Sequence, residues 1–384
     1  MSGESAGGEA RGRRGANQPY DLLVVGAGLF GAVVAREALD RGLRVLVVDR
    51  RKHIAGNCYT ARVEGIEVHR YGAHIFRTND RDTWDYFTRF CEFNNFVNSP
   101  VANFHGELYN LPFNMNTFHE LWGVVTPAEA QAKVASQCVP CDDPQNLEEF
   151  VLSRAGRDIY EKLVRGYTQK QWGKPCTELP ASLMRRIPLR WTYDNNYYRD
   201  RYQGIPIGGF TAAIGRMLEG ADVRLGVDFC ASFDELSAQA PLVVYTGAVD
   251  ELMGFSLGAL GYRGLRFEEE LLDCENYQGV AVMNFTDAET PYTRVIEHKH
   301  FEFGTQPVTV ISRECPAAWH RGDEPFYPME DAADRDLYER YRATAAADPR
   351  LAKFRFGGRL GEYRYYDMQD TIRSAREKAT QWLG

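Results

Sequence analysis

Residues 20–50, YDLLVVGAGLFGAVVAREALDRGLRVLVVDR, decide how this chain folds. A short apolar run leads into Gly26, Gly28 and Gly31, which form a G-x-G-x-x-G pattern. Helix-forming residues follow, and a second apolar run ends at Asp49. The order strand, tight turn, helix, strand is that of a nucleotide-binding βαβ unit. The stretch therefore predicts a Rossmann-like domain that binds a dinucleotide.

Each glycine of this turn has a separate physical role. Gly26 allows the tight turn, Gly28 lets the backbone approach a pyrophosphate, and Gly31 lets the helix pack close to the strand. The pyrophosphate is expected on the free N–H groups and the positive dipole end of the helix. Asp49 lies close to the spacing of about 20 residues at which an acid accepts hydrogen bonds from the ribose hydroxyls.

The residues around the second strand favour FAD as the cofactor. An acid at Asp49 favours FAD or NAD over NADP, and residues 53–57 (HIAGN) place a small glycine-containing turn where many FAD enzymes have one. Two alternatives remain for the stretch alone. One is a glycine-rich turn that binds no nucleotide. The other is an export signal after Arg13 and Arg14, against which the three glycines and the acid-ended strand argue.

Length and charge limit the possible functions. A chain of 384 residues is long enough for two or three domains. It has 44% hydrophobic and 26% charged residues, which is ordinary for a globular protein, and no apolar run long enough to span a bilayer. The net charge of −8 argues against general binding to nucleic acid or to anionic membranes. We expect neither as a partner.

The cysteines and histidines do not form a metal site. Eight cysteines are scattered through a chain without a recognisable export signal, which favours reduced thiols and a cytoplasmic location. Cys138 and Cys141 form the only C-x-x-C, and no second pair lies at zinc-ribbon spacing. The eight histidines include no H-E-x-x-H. We expect no metal.

Composition and pattern divide the chain into a tail and three domains. Residues 1–19, rich in Gly, Ser, Ala and Arg, are predicted to form a disordered tail. We assign the FAD-binding domain to residues 20–80, 205–250 and 350–384, a helical domain to 81–98 and 115–185, and an antiparallel sheet domain that binds substrate to 99–114, 186–204 and 251–349. The predicted fold class is α/β: a discontinuous Rossmann-like FAD-binding domain with an inserted helical domain and an antiparallel sheet domain.

Several element boundaries follow from local signals. Thr126 and Asn146 each precede an acid-rich first turn and are predicted helix caps. Residues 101–111 have the pattern of a hairpin, and residues 80–93 have helical spacing. Residues 293–300 alternate as a strand does.

Five groups of residues could carry chemistry, although each has a structural interpretation as well. They are His74 after a glycine turn, Tyr167 and Trp172 in residues 166–173, Arg186 and the tyrosines of residues 185–198, Arg294 in a predicted strand, and Arg359 with the tyrosines of residues 359–367. A lone histidine is more often structural, and loop arginines are often solvated. No Ser-His-Asp order, catalytic-cysteine context or close carboxylate pair is evident, so we expect the chemistry to belong to the flavin.

Several long strings in the chain resemble motifs of the bacterial UDP-galactopyranose mutases. They include YGAHIF (71–76), NLPFNMNTF (110–118), GYTQKQWG (166–173), GDEPFYP (322–328) and FGGRLGEYRYYDM (356–368). The resemblance runs from about residue 20 to the final predicted helix. It implies interconversion of UDP-galactopyranose and UDP-galactofuranose through an adduct between reduced FAD N5 and the sugar anomeric carbon, with no net redox change. It also implies a homodimer or higher homo-oligomer, and we expect NADH or NADPH as the external reductant.

The resemblance also implies roles for individual residues. Arg186 and Arg294 would clamp the diphosphate, with Arg186 on a lid, and His74 would lie beside the isoalloxazine. These three are the predicted catalytic residues. The predicted substrate-binding residues are Asn98, Tyr167, Trp172, Tyr197, Tyr198, Tyr327, Tyr365 and Asp367. The predicted cofactor-binding residues are Gly26, Gly28, Phe30, Gly31, Asp49, Gly56, Asn57, Thr246, Gly247, Arg359, Asp367 and Met368.

Two departures and two alternatives remain. The Gly-Gly expected after the second strand is Ala55-Gly56, and Asp49 stands where relatives often have Glu. The main alternative function is an FAD oxidoreductase of the amine or protoporphyrinogen oxidase type. The arginine pair and the tyrosine cluster argue against it, because those substrates carry no diphosphate. A non-catalytic nucleotide-binding regulator is a more distant alternative.

Overall fold

The predicted βαβ unit is present in the computed structural model, which describes residues 18–184, 189–329 and 331–384. Strand β1 (Leu22–Val25) leads into helix α1 (Leu29–Leu39), and strand β2 (Val45–Asp49) follows. All four residues of β1 and the first four of β2 are buried. Strands buried on both faces are typical of a parallel sheet covered by helices on each side.

The other elements include fourteen strands and twelve α-helices in the described part of the chain. The strands are β3 (Thr60–Val63), β4 (Ile66–His69), β5 (Phe76–Thr78), β6 (Val101–Phe104), β7 (Glu107–Asn110), β8 (Tyr202–Gly204), β9 (Asp222–Leu225), β10 (Val243–Tyr245), β11 (Tyr262–Leu272), β12 (Val282–Phe285), β13 (Arg294–Glu297), β14 (Thr309–Ala318), β15 (Tyr327–Pro328) and β16 (Phe354–Phe356). The helices are α2 (Arg81–Phe87), α3 (Met115–Trp122), α4 (Pro127–Gln137), α5 (Leu147–Ala155), α6 (Arg157–Ile159), α7 (Gly166–Trp172), α8 (Gly209–Met217), α9 (Phe233–Ser237), α10 (Val249–Leu252), α11 (Ala332–Ala347), α12 (Gly358–Gly361) and α13 (Met368–Leu383). No helix in the described part of the chain is both long and apolar enough to cross a bilayer.

Two large sheets organise the molecule. The first has five parallel strands in the order β16-β10-β1-β2-β9. The second has seven strands in the order β15-β11-β14-β13-β12-β6-β7. Neighbouring strands of this second sheet are antiparallel, except β6 and β12, which are parallel. The β6–β7 hairpin, which comes early in the chain, forms the edge of the sheet next to β12. The fold class predicted from the sequence is therefore confirmed.

Alternate side chains of the parallel sheet pack into different cores. Leu22 and Val24 lie in a cluster with α1, α8 and α13, whereas Leu23 and Val25 lie in a cluster with Phe229 on the opposite face. A third cluster is formed by the helical region and includes the buried residues Phe118, Leu147, Val151 and Tyr160. The exact division of residues among three domains stays a prediction.

Most of the predicted boundaries are confirmed. Thr126 and Asn146 each accept a hydrogen bond from the third residue of their helix, and β6 and β7 form the expected hairpin. Helix α2 ends earlier than residue 93. The strand prediction for residues 293–300 is wrong at its end, because His298–Glu302 is a 3₁₀ helix. His298 and Lys299 are both buried in this 3₁₀ helix.

Candidate active site

A cavity of about 410 Å³ lies at the carboxyl ends of the parallel strands. One side of the cavity is formed by the turns after β1, β2 and β10 and by the start of α12. The opposite side is formed by β13, β14 and β15 of the seven-stranded sheet. Ligands of open α/β sheets bind at this edge. The cavity therefore joins the predicted dinucleotide site to the second sheet.

The glycine turn is held so closely that side chains do not fit at two positions. A Cβ on Gly26, whose φ is +110°, would lie 2.0 Å from Thr246 Oγ1, and a Cβ on Gly31 would lie 2.0 Å from the Gly26 carbonyl oxygen. On Gly56 a Cβ would lie 3.0 Å from Gly28 Cα. The turns after β1 and β2 thus lie against each other and leave bare backbone toward the cavity.

The second strand ends in a carboxylate that orders this turn. Asp49 Oδ2 accepts a hydrogen bond from Ala27 N at 2.8 Å, and Oδ1 accepts one from Arg51 N at 2.8 Å. Each oxygen keeps a lone pair for a further donor such as a ribose hydroxyl. Ala55 has φ +75°, which shows that the position where a glycine was expected does require the left-handed conformation, at a cost of about 1–2 kcal/mol for alanine.

The C-terminal part of the chain closes the same cavity. The Phe30 ring packs so tightly on Gly357 that a Cβ there would lie 2.3 Å from Phe30 Cε1. Met368 at the start of α13 has its sulfur 3.7 Å from Cys58 Sγ, and Thr246 Oγ1 donates to the Val25 carbonyl at 2.8 Å. Phe30, Thr246, Gly247, Arg359 and Met368 all line the cavity.

Arg294 is a half-buried cation on the wall formed by the second sheet. It lies opposite Glu314 in the β13–β14 pairing, and its guanidinium is 3.0 Å from Glu314 Oε1. Burial by itself would lower the pKa of Arg294, but the charge of Glu314 raises it well above its usual value. Arg294 Nε is buried and has no hydrogen-bond partner within residues 18–184, 189–329 and 331–384. A buried unpaired donor beside a cavity is a place for an anionic ligand to bind.

Helix α7 is anchored so that Tyr167 lies near this arginine. A Cβ on Gly166 would lie 2.3 Å from the Thr286 carbonyl oxygen, and Lys170 Nζ donates to the carbonyls of Phe285 and Tyr292 at 2.9 and 3.0 Å. Burial raises the pKa of Tyr167 to about 12, and the charge of Arg294 partly opposes that rise. The Tyr167 hydroxyl therefore stays protonated and able to donate a hydrogen bond.

His74 is neutral at physiological pH. Its pKa is lowered to about 4, mainly by burial; the hydrogen bond to the Gly72 carbonyl opposes this shift, and the nearby charges of Arg359 and Arg294 add to it. His74 Nδ1 is 2.8 Å from the Gly72 carbonyl oxygen, so Nδ1 carries the proton and Nε2 is an acceptor. The residue lines the cavity.

Tyrosines and one aspartate surround the rest of the opening. Tyr365 OH donates to Asp367 Oδ1 at 3.1 Å, and the rings of Tyr365 and Tyr327 are 6.1 Å apart. Tyr198 packs edge-on against Tyr197 with centroids 5.2 Å apart. All of these except Tyr197 line the cavity.

Not every predicted site residue lies at the cavity. Asn98, Tyr167, Trp172 and Tyr197 are outside its lining. Trp172 packs against the core of the helical region. The Asn98 carbonyl accepts a hydrogen bond from Tyr197 N at 2.8 Å, which places Asn98 behind the tyrosines. Arg186 lies outside the described residues.

Seven charged residues of the cavity lining were missed by the sequence analysis: Arg50, Arg51, Arg77, Asp228, Glu251, Glu314 and Glu324. Arg51 NH2 is 2.5 Å from Glu324 Oε2, and Arg77 NH2 is 2.7 Å from Asp367 Oδ2. The one sequence signal for such a residue is a charged side chain between two residues that the fold buries. In residues 76–78, Phe76 and Thr78 are buried on either side of Arg77.

Two family models match the chain. One, described as UDP-galactopyranose mutase, matches residues 162–365, more than half of the 384 residues. The other, a NAD(P)-binding Rossmann-like domain, matches residues 24–90. The chain belongs to the UDP-galactopyranose mutase family.

Individual relatives agree with this family. A dTDP-fucopyranose mutase of Escherichia coli is 36% identical and the match covers 94% of this chain and 98% of that protein. A probable UDP-galactopyranose mutase of Klebsiella pneumoniae is also 36% identical, over 94% of both chains. A crystal structure of a reduced UDP-galactopyranose mutase shares the fold with a TM-score of 0.68 at 14% identity, over 95% of this chain and 96% of that one.

This family member is a flavin-dependent mutase and its cofactor is FAD. The residues of the cavity fit that cofactor: bare glycine backbone faces the cavity at Gly28 and Gly56, and the Asp49 carboxylate keeps lone pairs free. The family assignment does not support the oxidoreductase alternative.

Proposed function

We propose that this chain interconverts UDP-galactopyranose and UDP-galactofuranose and holds the diphosphate of the substrate at Arg294. The observation that carries the proposal is the part-exposed guanidinium of Arg294 on the cavity wall, whose Nε has no hydrogen-bond partner among the described residues. A cation with a free donor favours a doubly charged diphosphate. The family assignment supports the choice of a nucleotide sugar.

FAD in its reduced form, when bound, supplies the nucleophilic chemistry at the anomeric carbon of the sugar. Arg294 stabilises the negative charge that develops on the departing nucleoside diphosphate. The hydroxyl of Tyr327 donates a hydrogen bond to the same phosphates, while Tyr198, Asp367 and Tyr365, whose hydroxyl donates to Asp367, border the sugar. Arg294 and Tyr327 also keep the departing group near the site until the ring has reclosed.

His74 and Arg359 have complementary roles beside the cofactor. Because its pKa is lowered to about 4, His74 adds no charge and offers Nε2 as an acceptor. Arg359, which lines the cavity, supplies positive charge where the reduced cofactor is negative. We assign cofactor contacts to the three turn glycines, Phe30, Asp49, Gly56, Asn57, Thr246, Gly247 and Met368, all at or beside this end of the cavity.

The remaining residues and partners are proposed from the family alone. Tyr167 and Trp172 would border the uridine, Asn98 and Tyr197 would support the sugar side, and Arg186 would close over the diphosphate. NADH or NADPH would reduce the flavin, the chain would form a homodimer or higher homo-oligomer, and the enzyme would work in the cytoplasm.

A turnover assay tests the proposal. The purified holoenzyme is incubated with UDP-galactofuranose, with and without dithionite, and UDP-galactopyranose is measured by chromatography. We expect turnover only with reductant, and loss of turnover in Arg294→Gln with the flavin spectrum unchanged. No turnover by the reduced wild type would overturn the proposal, and flavin reduction by an amine would favour an oxidoreductase.

One observation favours a second substrate. The relative named dTDP-fucopyranose mutase is as similar to this chain as the relative named UDP-galactopyranose mutase. The same assay with dTDP-fucofuranose decides between them, since the larger kcat/KM identifies the substrate.

A further inference from the structure

Arg77 is placed in the cavity by strand alternation. Strand β5 pairs with β8, with Arg77 opposite Gln203. Phe76 and Thr78 on either side are buried at 0% and 2% exposure. Successive side chains of a strand point to opposite faces, so Arg77 leaves the core and lines the cavity with its side chain 26% exposed.

The guanidinium of Arg77 contacts three groups from two other parts of the chain. NH1 is 3.0 Å from Asp200 Oδ2, and NH2 is 2.7 Å from Asp367 Oδ2. The face of the guanidinium lies over the Tyr198 ring, 4.5 Å from its centroid. One planar cation therefore joins the start of α13 to the segment that carries Tyr197 and Tyr198.

Both carboxylates are already held on their other side. Asp200 Oδ1 accepts a hydrogen bond from Asn79 Nδ2 at 3.0 Å, and Asp367 Oδ1 accepts one from Tyr365 at 3.1 Å. Asp367 precedes α13, yet its side chain makes no capping hydrogen bond to that helix. Its carboxylate is turned toward the cavity, where Arg77 is its cationic partner.

The reaction at this site depends on the orientation and the charge of these carboxylates. A carboxylate that borders a reacting sugar is useful only if its orientation is fixed, since small displacements cost large factors in rate. Two carboxylates beside an anionic substrate would also repel it unless a cation offsets them. Arginine can bond two carboxylates and stack on a ring at once, whereas lysine is a point charge.

We propose that Arg77 is a positioning residue for the mutase reaction: it fixes the Asp367 carboxylate and the Tyr198 ring at the sugar end of the cavity. This inference rests on the proposed function, because Asp367 and Tyr198 border the sugar only if a nucleotide sugar is the substrate. Arg77 does not itself need to touch the reacting atoms.

The test compares kcat and KM in reduced holoenzymes, with UDP-galactofuranose and with dTDP-fucofuranose. The variants are Arg77→Gln, Arg77→Lys, Asp367→Asn and the double variant Arg77→Gln/Asp367→Asn. Arg81→Gln is the matched control, since Arg81 also pairs with an aspartate, Asp85 at 2.9 Å, but is 70% exposed and away from the cavity. FAD content is measured from the absorbance spectrum of each variant.

We expect Arg77→Gln to lower kcat by about tenfold or more, with KM nearly unchanged and FAD retained. Arg77→Lys should recover only a small part of kcat, and the double variant should be no slower than Asp367→Asn, because the two residues act as a unit. Arg81→Gln should match the wild type. If Arg77→Gln does not fold, kcat is measured in Arg77→Lys and Asp200→Asn instead, because each of these variants alters a contact of the same guanidinium.

Three outcomes would overturn the positioning role. They are a normal kcat in Arg77→Gln, losses that multiply in the double variant, and full recovery by Arg77→Lys. A wild type that turns over neither substrate overturns the proposed function and the positioning role together. A wild type that is active while the Arg77 variants behave normally overturns only the positioning role.

Discussion

Three histidines lie in a row from the cavity wall into the interior: His74 lines the cavity, and His69 and His298 are buried behind it. His74 N donates to His69 Nδ1 at 3.2 Å, His69 N donates to His298 Nδ1 at 3.2 Å, and His298 Nε2 lies 2.7 Å from Ser312 Oγ. Burial lowers the pKa of all three, to about 4 for His74 and about 3 for His298. The native state therefore keeps them neutral under conditions in which an unfolded chain would protonate them.

This burial predicts a loss of stability in mild acid. Below the ordinary histidine pKa of about 6.5 the unfolded chain binds protons that the native chain does not, so the free energy of unfolding falls as the pH falls toward 4. Each histidine contributes about 1.4 kcal/mol per pH unit in that window. The free energy of unfolding is measured by urea titration at pH 6, 5.5 and 5. Its slope against pH should be shallower in His74→Gln than in the wild type by about that amount.

A matched variant gives the control for this measurement. His320 is 78% exposed, so His320→Gln should keep the slope of the wild type. An equal slope in His74→Gln and the wild type would show that His74 takes up its proton equally in both states, contrary to the burial argument.

At the scale of elements, the βαβ unit could be predicted because its signals are local. Gly31 is required by a contact within the turn itself and Gly26 by its positive φ, and Asp49 binds backbone two residues away and in the turn after the first strand. Strand β11 was missed because its sequence, YRGLRFEEELL, is charged and half exposed. It is a strand because ten of its residues pair with β14, and such pairing cannot be read from one segment.

The candidate site shows the same limit. Arg294 and the tyrosines were found because they lie in strings that resemble a known family. The ion pairs of the cavity were not predicted, because Arg77 and Asp367 are 290 residues apart in sequence and Arg51 and Glu324 are 273 apart. Only the folded sheets bring these charges together, whereas each one alone resembles an ordinary surface residue.

The turn after β1 gives a prediction at the same scale. A Cβ on Gly31 would lie 2.0 Å from a backbone oxygen, and backbone in a buried turn cannot move aside cheaply. We expect Gly31→Ala to abolish FAD binding, as measured by flavin absorbance after desalting with excess FAD. The control is Gly215→Ala in α8, where a Cβ would lie 3.5 Å from Ile54. That variant should bind FAD normally and be up to about 1 kcal/mol more stable, whereas FAD retention in Gly31→Ala would show that the turn can relax.

On the scale of the whole molecule, the two sheets are joined at the cavity by the loop between β14 and β15. Glu324 of this loop pairs with Arg51, which follows β2, at 2.5 and 3.3 Å. Arg51 also donates to Asn57 Oδ1 at 3.0 Å and stacks 4.6 Å from the Tyr71 ring. Tyr327 lies three residues after Glu324 and lines the substrate side. One loop thus contacts both the cofactor end and the substrate end of the site.

This connection predicts that the Arg51–Glu324 pair slows the release of FAD. Glu324→Gln keeps the size of the side chain but removes the charge, so the loop should open more often over the cofactor. We expect the rate of FAD dissociation, followed by the rise in free-flavin fluorescence after a large dilution, to rise about tenfold, which corresponds to about 1.4 kcal/mol. The control is Glu269→Gln, because Glu269 of β11 also pairs with an arginine, Arg70 just after β4, at 2.5 Å, but outside the cavity. If both variants release FAD equally fast, the loop has no special part in holding the cofactor; if only Glu324→Gln releases it faster, the loop retains the cofactor that the glycine turn binds.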